Sequence, residues 1–405
     1  MRRFLIICAG AGLVLALILA LNWTNIQRLL IVKDFLDEDK VVYNFSHAGD
    51  AFHKRELNVT APVNIWDSAP APLPETLTFM GQPSAVSDYL DKTNAVALLV
   101  IKDGVIRFEN YYQGVDAQDR WISWSVAKSF LSTLIGAAVE RGDISSIEDP
   151  MEQYAPALKG TAYEGVSIRH VLNMSSGVRF NEDYFDNDSD VVKMTNILAI
   201  GGSLDEFTAQ YKARDFEPGS AMRYVSIDTH ALGMVLKGAT GKTPSENFEQ
   251  VLGNKLGFSQ GIYYLTDSEG SEYVLGGLNM SARDYALLGQ LFLQEGQWNG
   301  QQVISKSWVA ESTANSAPPR LDGGPLGYGY QWWVPVARPE PEFANDYVAA
   351  GFYGQHIYVN PDHGTVIVKL STFKDASELN DDGISYGQIT MEFFRALSQH
   401  YAGGE

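Results

Sequence analysis

The sequence predicts an α+β fold: an antiparallel sheet flanked by helices, an inserted helical lobe, and a transmembrane helix at the N-terminus. Three observations lead there. Strand-like runs lie at residues 95–114 (AVALLVIKDGVIRFENYYQG) and again at residues 347–373 (YVAAGFYGQHIYVNPDHGTVIVKLSTF). The long stretch between them mixes helices and loops, so one sheet built from both ends would carry a helical lobe. Finally, Arg2 and Arg3 precede an uncharged run over residues 4–23.

That run has the roughly 20 apolar residues that a bilayer span needs. The two arginines should stay inside and the rest of the chain should be exported. A cleaved signal peptide competes, but Ile18-Leu19-Ala20 lacks the small-residue pattern of a cleavage site. An uncleaved anchor over residues 1–25 is favoured. The single cysteine, Cys8, lies inside it, so the exported part has no disulfide, thiolate metal site or thiol nucleophile.

Residues 26–78 read as a linker and N-terminal extension, with Pro62, Pro70, Pro72 and Pro74 marking a connector or a strand laid over a surface. The folded domain is expected over residues 79–402. Its composition, 45% hydrophobic with eight Trp and twenty Tyr, supports a substantial core. A net charge of -19 argues against nucleic acid as a partner. Asp103-Gly104 between apolar runs marks a hairpin, and Asn360 to Gly364 turns a second one. An amphipathic helix is expected over residues 386–400.

Residues 120–142 (RWISWSVAKSFLSTLIGAAVERG) look like a buried helix whose first turn carries Ser125 and Lys128. Residues three apart share a helix face, which brings Oγ and Nζ within hydrogen-bond reach. A serine hydroxyl needs a base to become a nucleophile. Burial against an apolar helix lowers a lysine pKa and makes the amine that base. A second S-x-x-K, Ser371 to Lys374, ends a strand, where positions three apart point to opposite faces. It reads as structural.

A helix carrying S-x-x-K after a hairpin resembles the serine β-lactamase and penicillin-binding-protein family. Tyr224-Val225-Ser226 matches the Y-x-S element of its class C-like branch. The segments LNMSSGVRFNEDY (residues 172–184) and GYGYQWW (residues 327–333) are also similar to that branch, which includes esterases and 6-aminohexanoate-dimer hydrolases. Tyr358-Val359-Asn360 is a decoy, lying after the third element rather than before it. The resemblance implies a β-lactamase-like fold with Ser125 as nucleophile and Lys128 and Tyr224 sharing the proton transfers, the formal base left open. Ser226 would face the site.

The third element, K-T-G or H-x-G in the family, is best matched by Ala349-Ala350-Gly351. No cation lies between Arg338 and His356. This departure disfavours β-lactam and D-Ala-D-Ala substrates, whose carboxylate that cation holds, and leaves esters and uncharged amides. Gly351 allows close approach, and the Phe352 N–H would complete an oxyanion hole with that of Ser125. Tyr184 reads either as a lid residue or as an ordinary loop tyrosine.

Other motifs fail. GATGKT (residues 238–243) has Leu236 where a phosphate loop needs its first glycine. Asp186, Asp188 and Asp190 mimic a calcium loop, but Val191 and Ile197 replace its glycine and closing glutamate. Neither H-E-x-x-H nor G-x-S-x-G occurs. The expectation is a membrane-anchored serine hydrolase acting outside the cytoplasm on a small-molecule ester or amide, without metal or cofactor. The rivals are a β-lactamase or D,D-peptidase, and a weakly acylating sensor.

Overall fold

The sheet's two halves meet at its centre. In this computed structural model, which describes residue 20 and residues 23–403 except 80, 337–340, 375–376 and 381–382, eight strands form the main sheet. Their order is Leu326–Tyr328, Trp333–Pro335, Tyr347–Gly351, Gln355–Asn360, Thr365–Ser371, Ala95–Lys102, Val105–Tyr111 and Asp67–Ser68. Neighbours are antiparallel except the last pair, where the proline-rich stretch adds a parallel edge. Val100 pairs with Ile367 and Leu99 with Val368, joining the N- and C-terminal pieces as expected.

Ala95–Lys102 is apolar on both faces because both faces are covered. Leu98 and Val100 pack with Phe393, Phe394 and Leu397 of the Tyr386–Ala402 helix. Leu99 and Ile101 face the opposite layer, where the Ala282–Leu293 helix lies on the sheet. Gly289 makes that approach possible: a Cβ there would sit 2.5 Å from Val366 Cγ1. Asp103 and Gly104 take φ of 49° and 81°, the left-handed pair of a tight hairpin turn.

The helical lobe centres on Ala127–Arg141, buried nearly all round and packed against Ser226–Thr240. Residues 120–142 are not one helix. Trp121–Ile122 is a strand paired with Leu278–Met280, Trp124–Val126 forms a 3-10 turn, and the α-helix starts only at Ala127. Trp121 and Ile122 are fixed by sheet pairing, so helix geometry begins after the serine. The helix stops at Gly142, whose φ of 79° suits glycine.

Residues 26–78 pack on this body. The His53–Glu56 strand pairs with Tyr263–Thr266 in a second, four-stranded sheet that also holds Trp121–Ile122. Phe35, Phe45 and Phe52 join the main core. The expected membrane span lies almost wholly outside the described residues. Among those described, no helix is long and apolar enough to cross a membrane.

Candidate active site

Two strands and two helix starts converge on Ser125. The Trp121–Ile122 strand ends just before it, and the preceding Trp124 adopts a φ of 42°. A bulky residue in that region costs roughly 1–3 kcal/mol and persists only when its surroundings hold it. Here the Trp124 ring is gripped edge-on by Phe45 at 5.5 Å and by Phe352 at 5.9 Å. The Tyr347–Gly351 strand abuts this turn. A Cβ on Gly351 would lie 2.6 Å from Ser123 O and 3.1 Å from Ser125 N, so a larger residue would push the strand off the serine.

Lys128 is 1% exposed and its amine donates to Ser125 Oγ at 2.9 Å, Ser226 Oγ at 3.1 Å and Leu275 O at 2.9 Å. Burial holds its pKa down to about 7, with Glu182 pulling the other way. Near neutrality a large share of these amines is therefore neutral, with a lone pair beside the serine hydroxyl.

Tyr224 lies just before the Ser226–Thr240 helix. Its ring stacks on Trp333 at 5.4 Å and lies 5.2 Å from Lys128 Nζ. Burial, and then Glu182, push its pKa above the ordinary phenol range, and the Ser125 and Ser226 hydroxyls oppose that shift. The phenol thus stays protonated at neutral pH.

Glu182 is the residue that sequence reasoning missed. It accepts from Ser226 N at 2.7 Å, from Ser226 Oγ, and from Tyr184 OH at 2.6 Å. Burial raises its pKa, while Lys128 and the Ser226 bonds oppose the rise. A chain of contacts runs from Glu182 through Ser226 to Lys128 and Ser125. Tyr184 is no remote loop residue: its hydroxyl lies 3.3 Å from Ser226 Oγ and its ring stacks on Phe352 at 4.5 Å. The one signal for Glu182 was its place two residues before Tyr184, inside a segment that otherwise looks like a solvated acidic loop.

Two cavities meet at Ser125, Tyr184 and Phe352. One, about 650 Å³, runs past Tyr224 and Trp333 along Val348 and Ala350. The other, about 150 Å³, lies toward the N-terminal extension. The strand of the third element carries no cation, as expected, yet Arg320 and Lys374 reach the larger cavity from outside it. Lys374 thus borders the site, while its S-x-x-K partner Ser371 is buried and donates to Tyr353 O at 2.7 Å. Ala349 is 1% exposed and faces the core; Ala350 is the position that borders the cavity. Among the described residues no group of His, Cys, Asp and Glu side chains is arranged to hold a metal ion.

The Beta-lactamase family profile matches residues 84–386. A 6-aminohexanoate-dimer hydrolase of Paenarthrobacter ureafaciens is 29% identical over 320 residues, 76% of this chain and 80% of that protein. A putative 6-aminohexanoate-dimer hydrolase from Bacillus anthracis superposes with a TM-score of 0.77 at 22% identity, covering 91% of this chain and 95% of that one. A penicillin-binding protein from Bacillus halodurans gives 0.56 at 19% identity, over 75% and 98% of the two chains. The chain belongs to the Beta-lactamase family and is a serine hydrolase of the amidase or esterase type.

Proposed function

We propose that the protein cleaves an ester or amide bond through an acyl-enzyme on Ser125, with Lys128 as base and Tyr224 as acid. The observation that carries this reading is the 2.9 Å contact between Ser125 Oγ and an amine held near pKa 7 by burial. The opposite shifts of the two groups separate their roles. The lysine is available without its proton and the tyrosine keeps its own.

In the first half-reaction Oγ bonds to the carbonyl carbon and the serine proton passes to Lys128. The N–H groups of Ser125 and Phe352 hold the oxyanion. The bond to the leaving group then breaks, and that group takes the Tyr224 proton, which Lys128 replaces. In the second half, water gives a proton to Lys128 and its oxygen to the carbonyl. The acyl–Oγ bond breaks and Ser125 recovers a proton. Glu182 and Ser226 act through Lys128, as positioning residues.

A β-lactamase reading draws support from Arg320 and Lys374, but Arg320 is already engaged, its Nε and Nη2 donating to Asp322 and its Nη1 to Leu326 O. Esters are expected to outrun nitrocefin. A fluorophosphonate should add one label, on the Ser125 peptide, and Ser125→Ala should abolish both label and p-nitrophenyl acetate hydrolysis. Labelling that survives in Ser125→Ala refutes the assignment.

The proposed location is a membrane anchor with the catalytic domain outside the cytoplasm, supported by Arg2, Arg3 and the uncharged run that follows. Protease added to cells with a permeabilised outer layer should digest the domain. Full protection there refutes the topology.

A further inference from the structure

The two cavities at Ser125 differ in chemistry. The smaller is lined from the N-terminal extension by Val32, Phe35, Leu36 and Phe52, and from the Asp190–Ile200 helix by Leu198 and Ala199. Among the described residues none of its lining side chains is charged. Several of its polar groups are already engaged: Thr195 Oγ1 bonds to Val191 O and to Tyr273 OH, each at 2.9 Å, and Tyr184 and Ser226 belong to the Glu182 network, while the lining Trp124 keeps a buried indole N–H without a partner among the described residues. The larger cavity is bordered by Arg320, Lys374, Glu392 and Arg395.

Tyr224 decides which part of a substrate goes where. It lines the larger cavity and is absent from the lining of the smaller. A leaving group that receives the Tyr224 proton must lie in the larger cavity, so the acyl part lies in the smaller. This step rests on the function proposed above.

We propose that the acyl part of the substrate is an uncharged aliphatic chain, and that Val32, Phe35 and Leu36 of the N-terminal extension set its specificity. The wall is held in place by the body of the protein. The Trp23–Lys33 helix packs against the Asp190–Ile200 helix, and the Phe35 ring meets Phe45 at 5.7 Å and Phe52 at 5.1 Å. A charged chain end would lose its hydration in this cavity and find no counter-charge. Each buried methylene, in contrast, should raise kcat/KM by about fourfold until the cavity is full.

The test uses the full-length protein in detergent and p-nitrophenyl esters, which keep the leaving group constant. Hexanoate should exceed acetate by at least about tenfold in kcat/KM, and should exceed 6-aminohexanoate, which has the same carbon count but ends in a charged amine, by a similar factor. Leu36 is 47% exposed, so Leu36→Asp can be expected to fold. It should cut the hexanoate-to-acetate ratio at least about fivefold and narrow the gap to 6-aminohexanoate. A fluorophosphonate with a diazirine at the end of its alkyl chain gives a second reading. After Ser125 displaces fluoride and the sample is irradiated, cross-links should fall in residues 32–52 or 190–200. Cross-links confined to residues 320–335 or 386–402, or a flat chain-length series with Ser125 labelled, overturn the assignment of the chain while leaving the serine mechanism intact. If Ser125 takes no label and no ester is cleaved, the mechanism fails and this inference with it.

Discussion

Two lysines are buried among the described residues, and only one of them adjoins a nucleophile. Lys128 and Lys369 are each 1% exposed, and burial holds each near a pKa of about 7. The Lys128 amine touches two serine hydroxyls and opens, through Ser125, onto both cavities. Lys369 sits mid-sheet, opposite His356 on one side and Leu98 on the other, with its amine 5.5 Å from the centre of the Tyr89 ring. That ring is itself stacked on Phe393 at 4.1 Å. His356 is pushed down to about 3, by burial first and then by Lys369. Burial alone therefore strips enough of the proton from an amine for it to accept one at neutral pH. The hydroxyl within reach and the adjoining space are what turn that amine into a catalyst.

The largest expected effect separates the two directly. Lys128→Met should lower kcat/KM for p-nitrophenyl esters by about 10³-fold or more, because serine loses its proton acceptor. Lys369→Met should stay within about twofold of the wild type. Thermal melts on both variants show whether each is folded. Equal losses in two folded variants would mean that Lys128 contributes nothing beyond what any buried lysine does, and the comparison would collapse.

The contrast also shows what a sequence exposes. Ser125 and Lys128 were legible because the consequence of their spacing on a helix is local, and the sheet was legible because its strands announce themselves as apolar runs. Even so, the serine sits one turn before the α-helix, since pairing of Trp121 with Met280 holds the preceding segment extended. Tyr224 needed the family pattern to stand out from twenty tyrosines. Glu182 was invisible because its acidic neighbours are solvated, and its burial depends on the start of a helix some forty residues later. The cavity wall from Val32 to Phe52 was equally hidden. It is fixed by strand pairing between His53–Glu56 and Tyr263–Thr266, a match across two hundred residues that no local pattern records.

A smaller effect sharpens the role of the Lys128 environment. Ester hydrolysis by the wild type should rise with pH through about 7 as Lys128 loses its proton. Glu182 favours the protonated amine, so Glu182→Gln should move this acidic limb to lower pH, by up to about one unit. The measurement is kcat/KM from pH 5 to 9. A variant whose rate falls while the limb stays in place would make Glu182 a brace for the loop and nothing more.

The smallest effect on catalysis, and the clearest on stability, belongs to Lys369. Its folded-state pKa of about 7 compares with roughly 10.4 for a lysine in the unfolded chain. Between those values the unfolded state binds a proton that the folded state does not, so wild-type stability gains from this group as pH rises. The gain approaches about 1.4 kcal/mol per pH unit within that window. Below pH 7 both states are protonated and the full cost of the buried charge remains. Lys369→Met removes the group, so its advantage over the wild type should be greatest near pH 6 and shrink steadily toward pH 9.5. Lys128 has the same kind of shift but is present in both proteins and cancels in the difference. Urea denaturation across this range measures it. Parallel profiles would show that Lys369 keeps its proton when folded, held by the face of the Tyr89 ring, and the likeness of the two lysines would then extend to their burial but not to their charge.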